Sequence, residues 1–387
     1  MEKLSYLASL IISAGIIQGI FLAVILAGIR KGNRKANRLL ALLLLSFSIN
    51  ITHTVLFSEI IPSISALVLK INEPFQFVLG PLMYFYVCQL TSVDFRFRLK
   101  KMLHFVPFVL NCLLLLPLGI SLGSSALSQF PGKNSYILSI VMWGLILLQI
   151  TVYLALTHMK IRQHQNNIRQ NFSETGDINL RWLKYFIMIL FIIYLTYYLL
   201  LVIMLHTSDF NSLFPHFQKS TSIILSLAIY GIGYRGLSQP KIFNYEPTEL
   251  KSSEADKGKY ERSGLDTKEA EELSKKLIAY MSDEKPYLNS ELTLPDLSTT
   301  LNIPRNKLSQ VLNEKIGMSF YDFINGYRVR QAKEYLADPG YENIKIIAIA
   351  FDAGFNSKAA FNNIFKKIEG ITPSEYKKTT IKMVMNK

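Results

Sequence analysis

The chain has 387 residues, a formal net charge of +14, and 50% hydrophobic but only 18% charged residues. That length suggests two or three domains, and an apolar excess over so few charges does not fit one ordinary soluble domain. Disorder, a collagen-like repeat and a disulfide scaffold are excluded, and the only two cysteines, Cys88 and Cys112, lie in apolar runs and are expected to be buried free thiols.

Residues 1–237 are mostly apolar and contain seven candidate spans, at 6–29, 39–57, 74–91, 104–123, 135–158, 183–205 and 220–236. A bilayer core needs about 20 apolar helical residues. The run from Leu183 to Leu205 is the clearest and the one from Thr221 to Gly236 the shortest, while Gly80-Pro81 marks a kink that neighbouring helices tolerate. Lys and Arg alternate between the loops. Arg30, Lys31, Arg34, Lys35 and Arg38 follow the first span, Arg96 to Lys101 the third and Lys160 to Lys184 the fifth, whereas the opposite side carries only Lys3, Lys70, Lys133 and Lys219. Cytoplasmic loops collect such residues, so a multi-pass protein of the inner (cytoplasmic) membrane is expected, with its amino terminus outside and its carboxyl half inside. No cleaved signal peptide is expected, because the positive cluster follows the first apolar run.

His53, Glu73, Gln76, Tyr197 and Tyr198 fall toward the outer ends of their spans. Polar groups at that depth are costly and mark a candidate ligand pocket; interfacial aromatics and inter-helix hydrogen bonds are the plainer reading. The six histidines have no metal-ligand spacing: His206 and His216 share an outer loop with Asp209 only loosely, and His164 reads as a solvated loop residue. There is no phosphate-binding loop, nucleophile elbow, His box or kinase motif, so neither an enzyme nor a metal or cofactor is expected.

Residues 238–264 hold five basic and five acidic residues with Ser, Gly and two prolines, the composition of a flexible tether. From 265 the pattern turns helical and polar. Leu294, Leu297 and Leu301 recur at helical spacing, Asn302 sits where a tight turn needs a positive φ, and Leu308, Val311 and Leu312 give the next helix one apolar face. Its other face is Arg305, Asn306, Lys307, Ser309 and Gln310, a helix-turn-helix pattern whose second helix fits a major groove. About fifty residues later it recurs: Ile346, Ile349 and Ala350, a turn at Gly354, a cap at Ser357, and a helix anchored by Phe361, Ile364 and Phe365 that leaves Lys358, Asn362, Asn363, Lys366 and Lys367 outward. The long run from Phe320 to Leu336 connects them, and two reading helices on one connector suit successive major-groove segments.

Residues 265–380 resemble the DNA-binding domain of AraC/XylS-type transcription regulators, above all in Ala353-Gly-Phe-Asn-Ser-Lys-Ala-Ala-Phe-Asn-Asn-Ile-Phe-Lys-Lys-Ile-Glu-Gly-Ile-Thr-Pro-Ser-Glu-Tyr, with Ile316-Gly-Met-Ser-Phe, the Arg328 and Ala332 step and Leu336 in the connector. The resemblance implies seven helices in two helix-turn-helix subdomains, with base-reading positions at Asn306, Ser309 and Gln310 and at Lys358, Ala359, Asn362 and Asn363. Many members carry Arg where this chain has Gln310 and Asn363, so base preference does not carry over. The amino half resembles the seven-span region of membrane-anchored regulators of that type. The fold class expected is all-α: a seven-transmembrane-helix sensor region (1–237), the tether (238–264) and a cytoplasmic double helix-turn-helix domain (265–387). The expected partners are double-stranded DNA, the lipid bilayer and a small-molecule or envelope signal, with a homodimer left open. The rival reading is a receptor-like or transport protein whose cytoplasmic helical module docks a protein. Charge is divided accordingly: residues 1–237 carry +12, residues 265–304 carry −4 and residues 305–387 carry +6.

Overall fold

A computed structural model describes residues 2–30, 33–55, 65–92, 95, 97–113, 133–176, 178–204, 210–238 and 265–385. The tether from 239 to 264, the later half of the expected fourth span, and His206 and Asp209 lie outside these residues. Contacts divide the chain into two compact units: Met1–Arg162 with Leu180–Glu246, and Gln163–Asn179 with Pro247–Lys387. Apart from one isolated bridge between Phe172 and Thr293, the regular structure of the described residues is helical.

The first unit contains α1 (Glu2–Gly28), α2 (Arg34–Val55), α3 (Ser65–Thr91), a 3-10 turn at Leu99–Phe105, most of α4 (Lys133–Asn171), α5 (Arg181–Met204) and α6 (Phe210–Ser238). Helix α1 packs on α2 and α6, and α2 on α3. Ile12, Leu26, Leu40, Leu44, Phe47 and Ile229 are buried there, and α1 approaches α6 so closely at Gly15 that a Cβ would strike Ser226. Several hydroxyls on these helices bond within their own helix: Ser46 to Leu42 O (2.8 Å), Ser48 to Leu44 O (3.0 Å), Thr91 to Val87 O (2.8 Å) and Thr151 to Leu147 O (2.7 Å). Such bonds satisfy a hydroxyl without a partner from another helix. Cys88 is buried and Cys112 half-buried, both as free thiols.

Three helices, not the expected seven, are long and apolar enough to cross a membrane among the described residues: Tyr6–Gly28, Ile140–Asn171 and Arg181–Leu200. A fourth, Lys219–Gly233, is apolar but shorter. The correction has local causes. Helix α2 opens on Arg34, Lys35, Asn37 and Arg38 and then spends positions on Ser46, Ser48, Asn50 and Thr52, and α3 carries Lys70, Glu73, Pro74 and Pro81. The three qualifying helices are apolar outside as well as inside: Leu10, Ile17 and Val24 on α1, Leu145 and Leu148 on α4, and Met188 and Ile192 on α5 are all exposed. In water such surfaces are rare on this scale.

The second unit has seven α-helices among its described residues after 265: α7 (Thr267–Asp283), α8 (Leu294–Leu301), α9 (Arg305–Gln310, continued by a π turn to Ile316), α10 (Phe320–Ala337), α11 (Ile346–Asp352), α12 (Lys358–Glu369) and α13 (Pro373–Met385). They form two small cores in succession. Leu277, Leu297, Leu301, Leu308 and Leu312 meet Phe320, Phe323 and Ile324 in the first, while Ile349, Ala350, Phe361 and Phe365 meet Val329, Ala332 and Leu336 in the second. Helix α10 therefore serves both cores, one with each half, and fixes their spacing.

Candidate nucleic-acid interface

Helix α8 begins with a reciprocal cap. The Asp296 amide donates to Thr293 Oγ1 (3.3 Å) and the Thr293 amide to Asp296 Oδ2 (2.9 Å). It ends at Asn302, whose φ of 52° lets the chain turn at once into Pro304 and α9. The Ser298 hydroxyl donates to Ile303 O (2.6 Å) and Lys276 Nζ to Leu301 O (2.8 Å), so the carbonyls around this turn are bonded. The second turn uses Gly354 at φ 86°, directly against Tyr287 and Leu288 of the first half. Ser357 then caps α12, accepting from the Ala360 amide at 3.2 Å. At the start of α13 the carboxylate of Glu375 accepts from the amide and hydroxyl of Thr372, both at 2.8 Å, which holds its pKa below the usual carboxylate range.

The two candidate reading helices differ in how much of their polar face is open. On α12, Lys358, Ala359, Asn363, Lys366 and Lys367 are exposed, Asn362 is half-buried, and Phe361, Ile364 and Phe365 hold the opposite face in the core. Lys367 lies 3.3 Å from Asp322 of α10. On α9, Arg305, Asn306, Lys307 and Ser309 are half-buried and already engaged in part. Arg305 donates to Asn171 Oδ1 (2.6 Å), Lys307 pairs with Glu269, and the Asn313 amide reaches Ser309 Oγ (3.4 Å). Gln310 is buried rather than outward: it is 8% exposed and donates to Glu314 Oε2 at 2.8 Å. Lys377, on a basic pair outside both helices, bonds the carbonyls of Tyr341 (2.9 Å) and Ile344 (3.0 Å).

Two residues between the reading helices are unusual. Arg328 of α10 is 1% exposed, and each of its five N–H donors has an acceptor: Tyr287 O (2.8 Å), Asn289 O (2.7 Å), Asn325 Oδ1 (3.4 Å), Ser173 O (3.3 Å) and Ser173 Oγ (3.1 Å). Burial lowers its pKa to about 10, opposed by the charge of Glu174, so it remains a cation at neutral pH. Asp322 accepts two 2.8 Å bonds from Nη2 of Arg169, one at each carboxylate oxygen, and a 2.6 Å bond from the Ser319 hydroxyl. Burial acts to raise the Asp322 pKa, but the Ser319 bond and the charges of Arg169 and Lys367 outweigh it and hold the group below its ordinary value. Sequence reading gave Arg328 only through resemblance and missed Asp322, since neither has a local pattern.

In the first unit, Gln76 of α3 lies buried, donating to Asn50 Oδ1 and accepting from the Tyr194 hydroxyl. Tyr197 stands 4.0 Å (ring centroids) from Trp143, and Tyr198 lies against Gly144. The His53 and Glu73 side chains fall outside the described positions. A cavity of about 30 Å³ beside this network is lined by Gly80, Met83, Ile150, Tyr153, Thr157 and Tyr194. That is room for a water molecule or two. In the second unit His164, expected from sequence to be solvated, is 5% exposed and bonded through Nε2 to Ile178 O (2.9 Å).

Residues 297–379 match the Helix-turn-helix domain family. Over this part the chain is 34% identical across 88 residues to YtdP of Bacillus subtilis (strain 168), covering 23% of this chain and 11% of that protein. It is 30% identical across 98 residues to YisR of the same organism (25% and 33%) and 32% identical across 91 residues to SACOL0084 of Staphylococcus aureus (strain COL; 24% and 12%). All three bear the description HTH-type transcriptional regulator, and the chain spans a third or less of the length of each. No solved structure matches the chain. The carboxyl-terminal part of this protein therefore carries an AraC-type helix-turn-helix domain, and its relatives there are HTH-type transcriptional regulators.

Proposed function

We propose that the protein is a membrane-embedded transcription regulator that binds DNA sequence-specifically and couples an extracytoplasmic or membrane signal to promoter occupancy. The observation that carries the DNA-binding part is the pair of capped reading helices on one connector, α12 presenting Lys358, Asn363 and Lys366 to solvent. Lysines on such a face meet phosphate, whereas Asn362 and Asn363 offer amides suited to adenine edges. The membrane part rests on the three long apolar helices with apolar outer faces and on the placement of Lys and Arg, which supports a cytoplasmic carboxyl-terminal domain. In this reading residues 1–237 sense, 238–264 tether and 265–387 read DNA. The buried link of Gln76 with Asn50 and Tyr194 is one polar network within this region, and it supports a sensing role there.

The test is duplex-DNA binding by the full chain in lipid nanodiscs across a salt series. Affinity is expected to fall steeply with salt and to differ between sequences. Absence of binding at low salt would overturn the reading in favour of a module that docks protein.

A further inference from the structure

Helix α4 does not stop where its apolar residues do. Its last turns and the loop that follows, residues 163–179, pack within the same compact unit as the helix-turn-helix domain. The Ser173 amide and hydroxyl both donate to Leu292 O (3.4 and 2.6 Å), and Phe172 bridges Thr293, the residue that caps α8. The Ser173 carbonyl in turn accepts from Asn325 Nδ2 (3.1 Å) and Arg328. Two of the five donors on the buried Arg328 thus end on Ser173, and among the described residues no carboxylate forms an ion pair with this guanidinium. A buried guanidinium requires its donors to be met. The folded reading unit therefore includes this distant segment.

The same segment engages Arg305, which the proposed function assigns to DNA. Asn171 takes Arg305, the first residue of α9, and Arg169 takes Asp322, which also holds Lys367 of α12. In the chain, residues 163–179 join α4 to α5, two of the three membrane-length helices.

We propose that residues 163–179 are an intramolecular clamp that completes the reading unit around Arg328 through Ser173 and, through Asn171, withholds Arg305 from phosphate until that end of the segment is displaced. The clamp rests on the DNA-binding reading above. Its displacement is the step through which a signal at the membrane helices changes DNA affinity.

The experiment uses the full chain in nanodiscs, with Cys88 and Cys112 replaced by Ser, and a mixed-sequence duplex spanning two major-groove segments. Phe172→Cys with Thr293→Cys converts the bridge pair into a reversible lock. Oxidised, the locked chain is expected to bind about tenfold more weakly than after reduction, with a log–log salt slope smaller by about one contact. Asn171→Ala, which removes the Asn171 acceptor from Arg305 without a lock, is expected to tighten binding and steepen the slope, and Arg305→Ala to cancel both gains. Equal binding by oxidised and reduced chains, or tighter binding by the locked form, overturns the clamp while DNA binding stands. If the disulfide forms but neither state binds DNA at low salt, the DNA-binding reading fails and takes the clamp with it.

Discussion

Gly354→Ala tests whether the second helix-turn-helix is seated on the first half of the unit by backbone contact. Gly354 sits at φ 86°, where an L-residue costs about 1–2 kcal/mol. Its new Cβ would also meet the Tyr287 carbonyl oxygen, with Leu288 Cα at 2.9 Å and Leu288 C at 3.0 Å, all backbone atoms that cannot rotate away. Forcing such a contact in a packed region costs about 1–3 kcal/mol. Together these predict a loss of roughly 2–5 kcal/mol, a large part of the 5–15 kcal/mol that holds a domain folded. Hydrogen exchange of the full chain reads this locally, at the amides of Ala353, Phe355 and Phe361 in the second core. Their protection should fall by about thirtyfold to a few thousandfold. Gly326→Ala is the control, because this glycine lies inside α10 with nothing within 4 Å of an added Cβ. There the same methyl should stabilise by up to about 1 kcal/mol. A protection loss below about threefold at Gly354→Ala would refute the argument that backbone contact fixes the turn.

The remaining predictions concern charge. Lys366→Ala should weaken binding to all duplexes alike and lower the log–log salt slope by about 0.9, because the side chain is exposed on α12 and suited to phosphate; an unchanged slope rejects that role. Asp322 has a folded pKa below its ordinary 3.8, so it stabilises the unit above about pH 4, and that contribution is lost as pH falls through the folded value. The drop in apparent melting temperature between about pH 5 and about pH 3 should accordingly be smaller in Asp322→Asn than in the unsubstituted chain, and equal drops would exclude this group as the source.

What was legible in the sequence was local. Asn302 at a positive φ, Gly354 at the second turn, Ser357 as a cap and the apolar faces of α8, α9, α11 and α12 each follow from residue chemistry within a few positions, and the structure has each of them. Gln310 was misplaced because its spacing puts it on the polar stripe of a regular helix. The backbone instead passes into a π turn at Val311, and Glu314 captures the amide. The segment 163–179 was unreadable for a different reason. Its contacts with Asp322, Asn325 and Arg328 span more than 150 residues and are made by polar groups, which leave no hydrophobic periodicity. Run length alone overstates α2 and α3 as spans, because their Asn, Ser, Thr and Pro content lowers their apolarity.

The placement of cations changes what the net charge of +14 means. Residues 305–387 carry only +6, and much of that is already committed: Arg328 is buried, Lys377 is bound to two carbonyls, Lys333 pairs with Glu369, and Lys307 pairs with Glu269. Arg305 is held by Asn171 of the segment 163–179 and Lys367 by Asp322. Of the exposed cations on α12, Lys367 is paired with Asp322, whereas Lys358 and Lys366 have no ion pair among the described residues. On the proposed function, first encounter with DNA belongs to the second reading helix, through few phosphate contacts and therefore with modest affinity. Engagement of the first reading helix adds Arg305, and that addition depends on a segment lying in the chain between two membrane-length helices. Low basicity is in this view part of the control: a reading surface with every cation free would hold DNA without regard to the signal.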